Sequence, residues 1–117
     1  MKKIVMLTCL KAETLCTGGG CFSAFYNRSH QFARYGKEEV QIGAFMKCSG
    51  CGHYPGKDRG LDEKIQYILA MKPDAVHLGI CTCHDGKSRE LCDEIKTVCE
   101  LFEQNGITIT RGTHSIF

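Results

Sequence analysis

Seven of the nine cysteines stand just after apolar runs, where an α/β chain places its functional loops. Cys9 follows Lys3-Ile4-Val5-Met6-Leu7, and Cys16 and Cys21 lie in the loop beyond it. Cys48 and Cys51 follow Val40 to Met46, and Cys81 and Cys83 follow Ala75 to Ile80. If the runs are parallel strands, all three loops leave one edge of a single sheet, and the sulfur donors converge from distant positions. Soft thiolates gathered in that way suit a metal ion or an iron–sulfur cluster far better than a packed core.

The spacings differ in how much they say. Cys48-Ser49-Gly50-Cys51 is a Cys-x-x-Cys knuckle, in which two thiolates can chelate one metal while small residues keep the backbone close. A thioredoxin-like redox pair shares this spacing but opens a helix directly. Here Gly52, Pro55 and Gly56 prolong the loop, which favours metal. Cys16-x4-Cys21 and Cys81-Thr82-Cys83 are only suggestive singly and gain weight beside Cys9 and the knuckle. His84 and His114 each fall just past an apolar run and are the candidate nitrogen ligands, with His53 beside the knuckle a weaker one. His77 sits inside the third run and reads as a core histidine, and His30 as helix surface. Cys92 and Cys99 lie seven apart beside the apolar stripe of a helix, where cysteine acts as a small hydrophobe; both are assigned to packing.

One signal overlaps this cluster. Cys83 to Arg89 reads Cys-x5-Arg between a strand and a helix, the cradle of cysteine phosphatases and some arsenate reductases. There a thiolate attacks while backbone N–H groups and the arginine hold an oxyanion, so Cys83 and Arg89 are the catalytic candidates of a thiol enzyme. Its acid, Asp58 or Asp85, is unassigned, and this reading leaves the other cysteines without a role. Thr17-Gly18-Gly19-Gly20 could cradle phosphate but lacks the lysine and hydroxyl of a P-loop. A tight turn positioning Cys16 and Cys21 is the simpler account.

The elements that must position these residues follow from the hydrophobic pattern. Apolar runs at about 2–8, 39–46, 74–80 and 107–111 alternate with helical spacing at about 21–35, 61–71 and 89–104. Gly36, Pro73 and Asn105-Gly106 serve as stops, and Ser88 as the N-cap of the third helix. This βαβαβαβ string, with right-handed crossovers, predicts a three-layer α/β/α fold of the flavodoxin or Rossmann type. Its four-stranded parallel sheet has order 2-1-3-4. Ligands in such sheets bind beyond the carboxyl ends of the strands, where the cysteines fall.

Composition narrows the classes. A chain of 117 residues makes one domain, 1–117, large enough for a core without staples. A net charge of +2 gives no reason to invoke nucleic acid, and no apolar stretch approaches the ~20 residues of a membrane span. The apolar run after Met1-Lys2-Lys3 stops too soon for a signal peptide, so a cytoplasmic protein is expected. In a reducing compartment, an odd number of clustered cysteines points to metal or redox chemistry rather than a disulfide framework.

Taken together, these residues resemble the CGGC-domain family across nearly the whole chain. The resemblance rests on Cys9, on Cys16-Thr17-Gly18 through Cys21-Phe22, and on Cys48 to Cys51 with Pro55-Gly56-Lys57 after it. It continues with His77-Leu78 before Cys81 and with Gly112-Thr113-His114. Ser49 stands where the name-giving tetrad has glycine, and Gly52-His53-Tyr54 separates Cys51 from the Pro-Gly-Lys element. The resemblance implies metal binding, with zinc as the ion. The expected ligand set is therefore Cys9, Cys16, Cys21, Cys48, Cys51, Cys81, Cys83, His84 and His114. A [4Fe–4S] cluster in electron transfer or redox sensing, with a redox protein as partner, is the alternative the sulfur count allows. The sequence leaves open whether the protein is an enzyme.

Overall fold

A computed structural model describes residues 1–83 and 90–114. Strand β1 (Lys2–Thr8) is buried on both faces: Ile4, Val5, Met6 and Leu7 are all fully enclosed. It is flanked by β2 (Val40–Lys47) and β3 (Ala75–Leu78), and β4 (Thr108–Arg111) pairs with β3. All pairings are parallel and the order is β2-β1-β3-β4, as the crossover rule predicts.

Helices cover both faces. On one, Val5, Leu7, Val76 and Leu78 pack against α2 (Arg59–Met71) and α3 (Asp93–Gln104). On the other, Ile4, Met6 and Ala75 pack against α1 (Gly19–Asn27) and a 3-10 helix, His30–Tyr35. In α2, Leu61, Ile65 and Ile68 recur at helical spacing, and the Asp58 carboxylate caps the start by accepting from the Leu61 N–H at 2.8 Å. The helix ends at Lys72 in the left-handed region, just before Pro73. In α3, Ile95, Val98 and Phe102 form the buried stripe. Each of those side chains contributes on the order of 2 kcal/mol of burial.

Two helices differ from expectation. The stretch read as one helix over 21–35 is broken: Arg28 and His30 take positive φ (52° and 51°) and separate α1 from the 3-10 helix. Both pieces still face the sheet, with Phe25 and Phe32 edge to face at 5.5 Å. The third helix begins at Asp93, not 89, because Leu91 is held extended in an antiparallel bridge to Cys83. The proposed cap Ser88 lies outside the described residues, and Cys92 occupies the N-cap position instead. Strand β3 is shorter than expected, since Ile80–Thr82 turns as a 3-10 helix and carries Cys81.

Candidate metal centre

The chain leaves β1 in one direction to form β2 and then crosses back to form β3. The crevice beyond β1 and β3 is therefore the switch point of the sheet, the place where such folds bind ligands. Cys9 and Cys81 mark that point. The backbone N–H of Cys9 donates to Cys81 Sγ at 3.3 Å, and the next N–H, from Leu10, donates to Cys48 Sγ at 3.4 Å. Three chain-distant loops thus meet at two consecutive peptide groups. On the α1 side, the Gly18 N–H donates to Cys16 Sγ at 3.3 Å.

Local backbone chemistry explains the knuckle. Gly50 and Gly52 adopt φ of 102° and 87°, so the chain turns tightly on either side of Cys51 at positions that disfavour a side chain. Cys48 is buried while Cys51 is exposed. The Lys64 ammonium reaches back from α2 to the carbonyl of Lys47 at 3.0 Å, pinning the loop to the helix. His53 is paired instead with the Asp58 carboxylate; the Leu61 N–H and then His53 hold that carboxyl below its usual range. Asp58 is thus a helix cap in the structure.

The thiols fall into two groups. Cys9, Cys48 and Cys51 surround a cavity of about 20 Å³, together with Lys11, Cys92 and Glu94. Cys9 and Cys81 also line a wider cleft of about 300 Å³ with Cys16, Glu13 and Lys47. Deeper on the α1 side, Cys21 Sγ lies 3.1 Å from Thr113 Oγ1 and 3.7 Å from His114 Nδ1. Burial pushes the thiols of Cys9, Cys21 and Cys81 up, because a thiolate there loses hydration. Opposing this, backbone N–H groups of Lys11 and Ala12 at Cys9, the Thr113 hydroxyl at Cys21 and the Cys9 N–H at Cys81 favour the anion.

The remaining candidates are placed as follows. Cys83 is buried, lines neither space and holds the Leu91 bridge. His84, Asp85 and Arg89 lie outside the described residues, and with them the Cys-x5-Arg cradle. His77 is fully buried on the sheet. Its Nδ1 lies 2.9 Å from the Gly112 carbonyl and its Nε2 2.6 Å from the Tyr35 hydroxyl. A carbonyl only accepts, so Nδ1 carries the proton and Nε2 accepts from Tyr35. Burial pushes this imidazole down to about 4, so it is a neutral core histidine. Cys99 is buried in the core, as expected of a packing residue. Cys92 is half-buried and packs partly against the core, as expected, but it stands at the N-cap of α3 and also lines the small cavity beside the knuckle. The signal for this was present as Cys92-Asp93-Glu94, an acidic first turn that marks a helix start.

Among the described residues, no three His, Cys, Asp or Glu side chains are already gathered so as to hold a metal ion. The donors are soft and adjacent, but they stand apart as thiols.

The model of the CGGC domain matches residues 3–114. The chain belongs to the CGGC-domain family. No curated protein and no solved structure matches it. Among the described residues, no helix is long and apolar enough to cross a membrane.

Proposed function

We propose that this CGGC-domain protein binds a soft divalent metal ion, zinc, at the carboxyl edge of its sheet, with Cys9, Cys48 and Cys51 as the central ligands. The observation that carries the reading is the pair of consecutive N–H groups, Cys9 and Leu10, that donate to Cys81 and Cys48 sulfur. Such bonds stabilise anionic sulfur and orient it, which a packing thiol does not need. The donor set fits in kind, since thiolates prefer zinc, copper(I) or iron to hard cations. Three loops bring the sulfurs towards one crevice, although among the described residues no three of them are yet gathered around an ion. Loading has to draw them together and displace their protons. The bound ion would supply charge neutralisation and a Lewis-acid centre. The chain's own residues fix the sulfur positions through the knuckle turn and compensate charge through Lys11, which lines the same small cavity as Cys51.

The size of the inner cavity, about 20 Å³, supports a single ion there. The cleft of about 300 Å³ beside Cys9, Cys16 and Cys81 favours a second reading, in which those thiols hold a larger iron–sulfur cluster. Anaerobic purification followed by metal analysis and an absorption spectrum separates the two. Colourless protein with stoichiometric zinc is expected; brown protein with iron and acid-labile sulfide establishes the cluster. Undiminished metal in both Cys48→Ser and Cys51→Ser overturns the site.

A further inference from the structure

We infer that Cys92 is the fourth thiol of the site formed by Cys9, Cys48 and Cys51, so that the start of α3 closes an all-sulfur shell around one ion. The inference rests on the metal reading above and extends it to a residue that helical periodicity assigns to the core.

Four independent features place Cys92 there. It lines the same small cavity as the other three sulfurs. Its position is set by the sheet edge rather than by the helix. The Cys92 N–H donates to the Thr82 carbonyl at 3.0 Å, and the preceding Leu91 bridges Cys83, so the residue is tied to the loop after β3. Its backbone (φ −58°, ψ 145°) is not helical, so its place is that of an N-cap residue rather than a turn of α3. Finally, Cys92 occupies an N-cap and makes no side-chain cap hydrogen bond, although Asn, Asp, Ser and Thr are the residues that cap there. A cysteine at that position forgoes the cap and presents sulfur to the cavity instead.

The surroundings are consistent with a charged shell. Four thiolates around a divalent ion leave a net charge of about −2. Lys11, which lines the same cavity, and the N-terminus of α3 oppose that charge. Asp93 and Glu94 add to it, and the Glu94 carboxylate is engaged by the Gly52 N–H of the knuckle. That last contact also ties the knuckle to the start of α3. Cys99, two turns further along α3, has no such exit: it is 4% exposed among Ile95, Val98 and Phe102.

Anaerobic titration of the reduced full chain with Co²⁺ tests the assignment. Each thiolate adds sulfur-to-cobalt charge-transfer absorption, and a tetrahedral shell gives intense visible bands. Cys92→Ser is expected to lose about a quarter of the charge-transfer intensity and to bind Co²⁺ at least about tenfold more weakly, whereas Cys99→Ala keeps both. A wild-type spectrum and affinity in Cys92→Ser, with both lost in Cys48→Ser, overturns the role of Cys92 and leaves the metal reading standing. Wild-type behaviour in Cys48→Ser and Cys51→Ser as well overturns the reading itself. If Cys92→Ser does not fold, alkylation of the wild-type chain decides. Zinc is expected to protect Cys92 together with Cys9, Cys48 and Cys51, and chelation to release all four. Equal labelling of Cys92 with and without zinc refutes the proposal.

Discussion

Cys48 and Cys21, on the two faces of the sheet, are held by different means. On the α2/α3 face, Cys9, Cys48, Cys51 and Cys92 surround a space of about 20 Å³, and backbone groups of three loops and a helix start fix their positions. On the α1 face, Cys21 is held by side chains, the Thr113 hydroxyl and the His114 imidazole. Exposed Cys16 borders an open cleft of about 300 Å³. Backbone-fixed sulfur around a one-atom space is how a closed site is built, whereas a cleft with an accessible thiol leaves a position open. Six of the seven cysteines read as one pool in the sequence thus fall into two groups that meet at Cys9 and Cys81, and Cys83 joins neither.

The strongest way to break this division is to remove ligands from one face at a time. Cys48→Ser and Cys51→Ser are expected to lower bound metal more than about tenfold, because a hydroxyl is a poor donor to a soft ion. Cys16→Ser and Cys21→Ser are expected to leave that metal in place. Metal per chain, measured side by side after dialysis, is the readout. Loss confined to the Cys16 and Cys21 variants would move the site to the α1 face, and equal loss in all four would make the groups one.

Acid acts on the α1 face by another route. His77 holds the Gly112 carbonyl at the root of the Gly112-Thr113-His114 loop, and burial lowers its imidazole from 6.5 to about 4. Between those values the unfolded chain binds a proton that the native chain refuses, so stability falls as pH drops from 6.5 towards 4. The full loss is on the order of 3 kcal/mol, reached below the folded value. Urea midpoints across this range should slope for the wild type and flatten in that window for His77→Gln. A wild-type slope retained by His77→Gln would assign the acid sensitivity to other groups.

Much of the frame was legible in the sequence. Short apolar runs bounded by turn signals read as strands, and parallel strands with right-handed crossovers leave few orders, so the approach of Cys9, Cys48 and Cys81 followed. Helix starts were harder. Leu91, Ile95, Val98 and Phe102 keep one period, and nothing in that period says that Leu91 lies in a bridge rather than the first turn. The same period assigns Cys92 to packing; it does pack partly against the core, but the period does not show that it also lines the small cavity. The break at Arg28 was hidden likewise, since Phe25 and Phe32 face the sheet whether or not the helix continues. The division between faces was only partly readable. Strand parity puts Cys9 with Val5 and Leu7, but the sides taken by loop residues such as Cys16 and Cys81 are set by tertiary hydrogen bonds.

The smallest expected effect offers the finest separation of the two groups. Gly20 is the second residue of α1, and a Cβ built there would meet the His114 ring at 3.1 Å. Gly20→Ala therefore has two opposing consequences. The helix gains propensity and the unfolded chain loses freedom, each worth up to about 1 kcal/mol. Against that, the ring has to move by a few tenths of an ångström, away from its place 3.7 Å from Cys21 sulfur. Net stability should change by less than about 1 kcal/mol. The imidazole resonances of His114 should shift, and metal held by Cys48 and Cys51 should not change. Unshifted resonances would mean that His114 does not rest on the start of α1. A change in bound metal would mean that the α1 face reaches through Cys81 and Cys9 to the knuckle, and the two groups would then have to be treated as a single site.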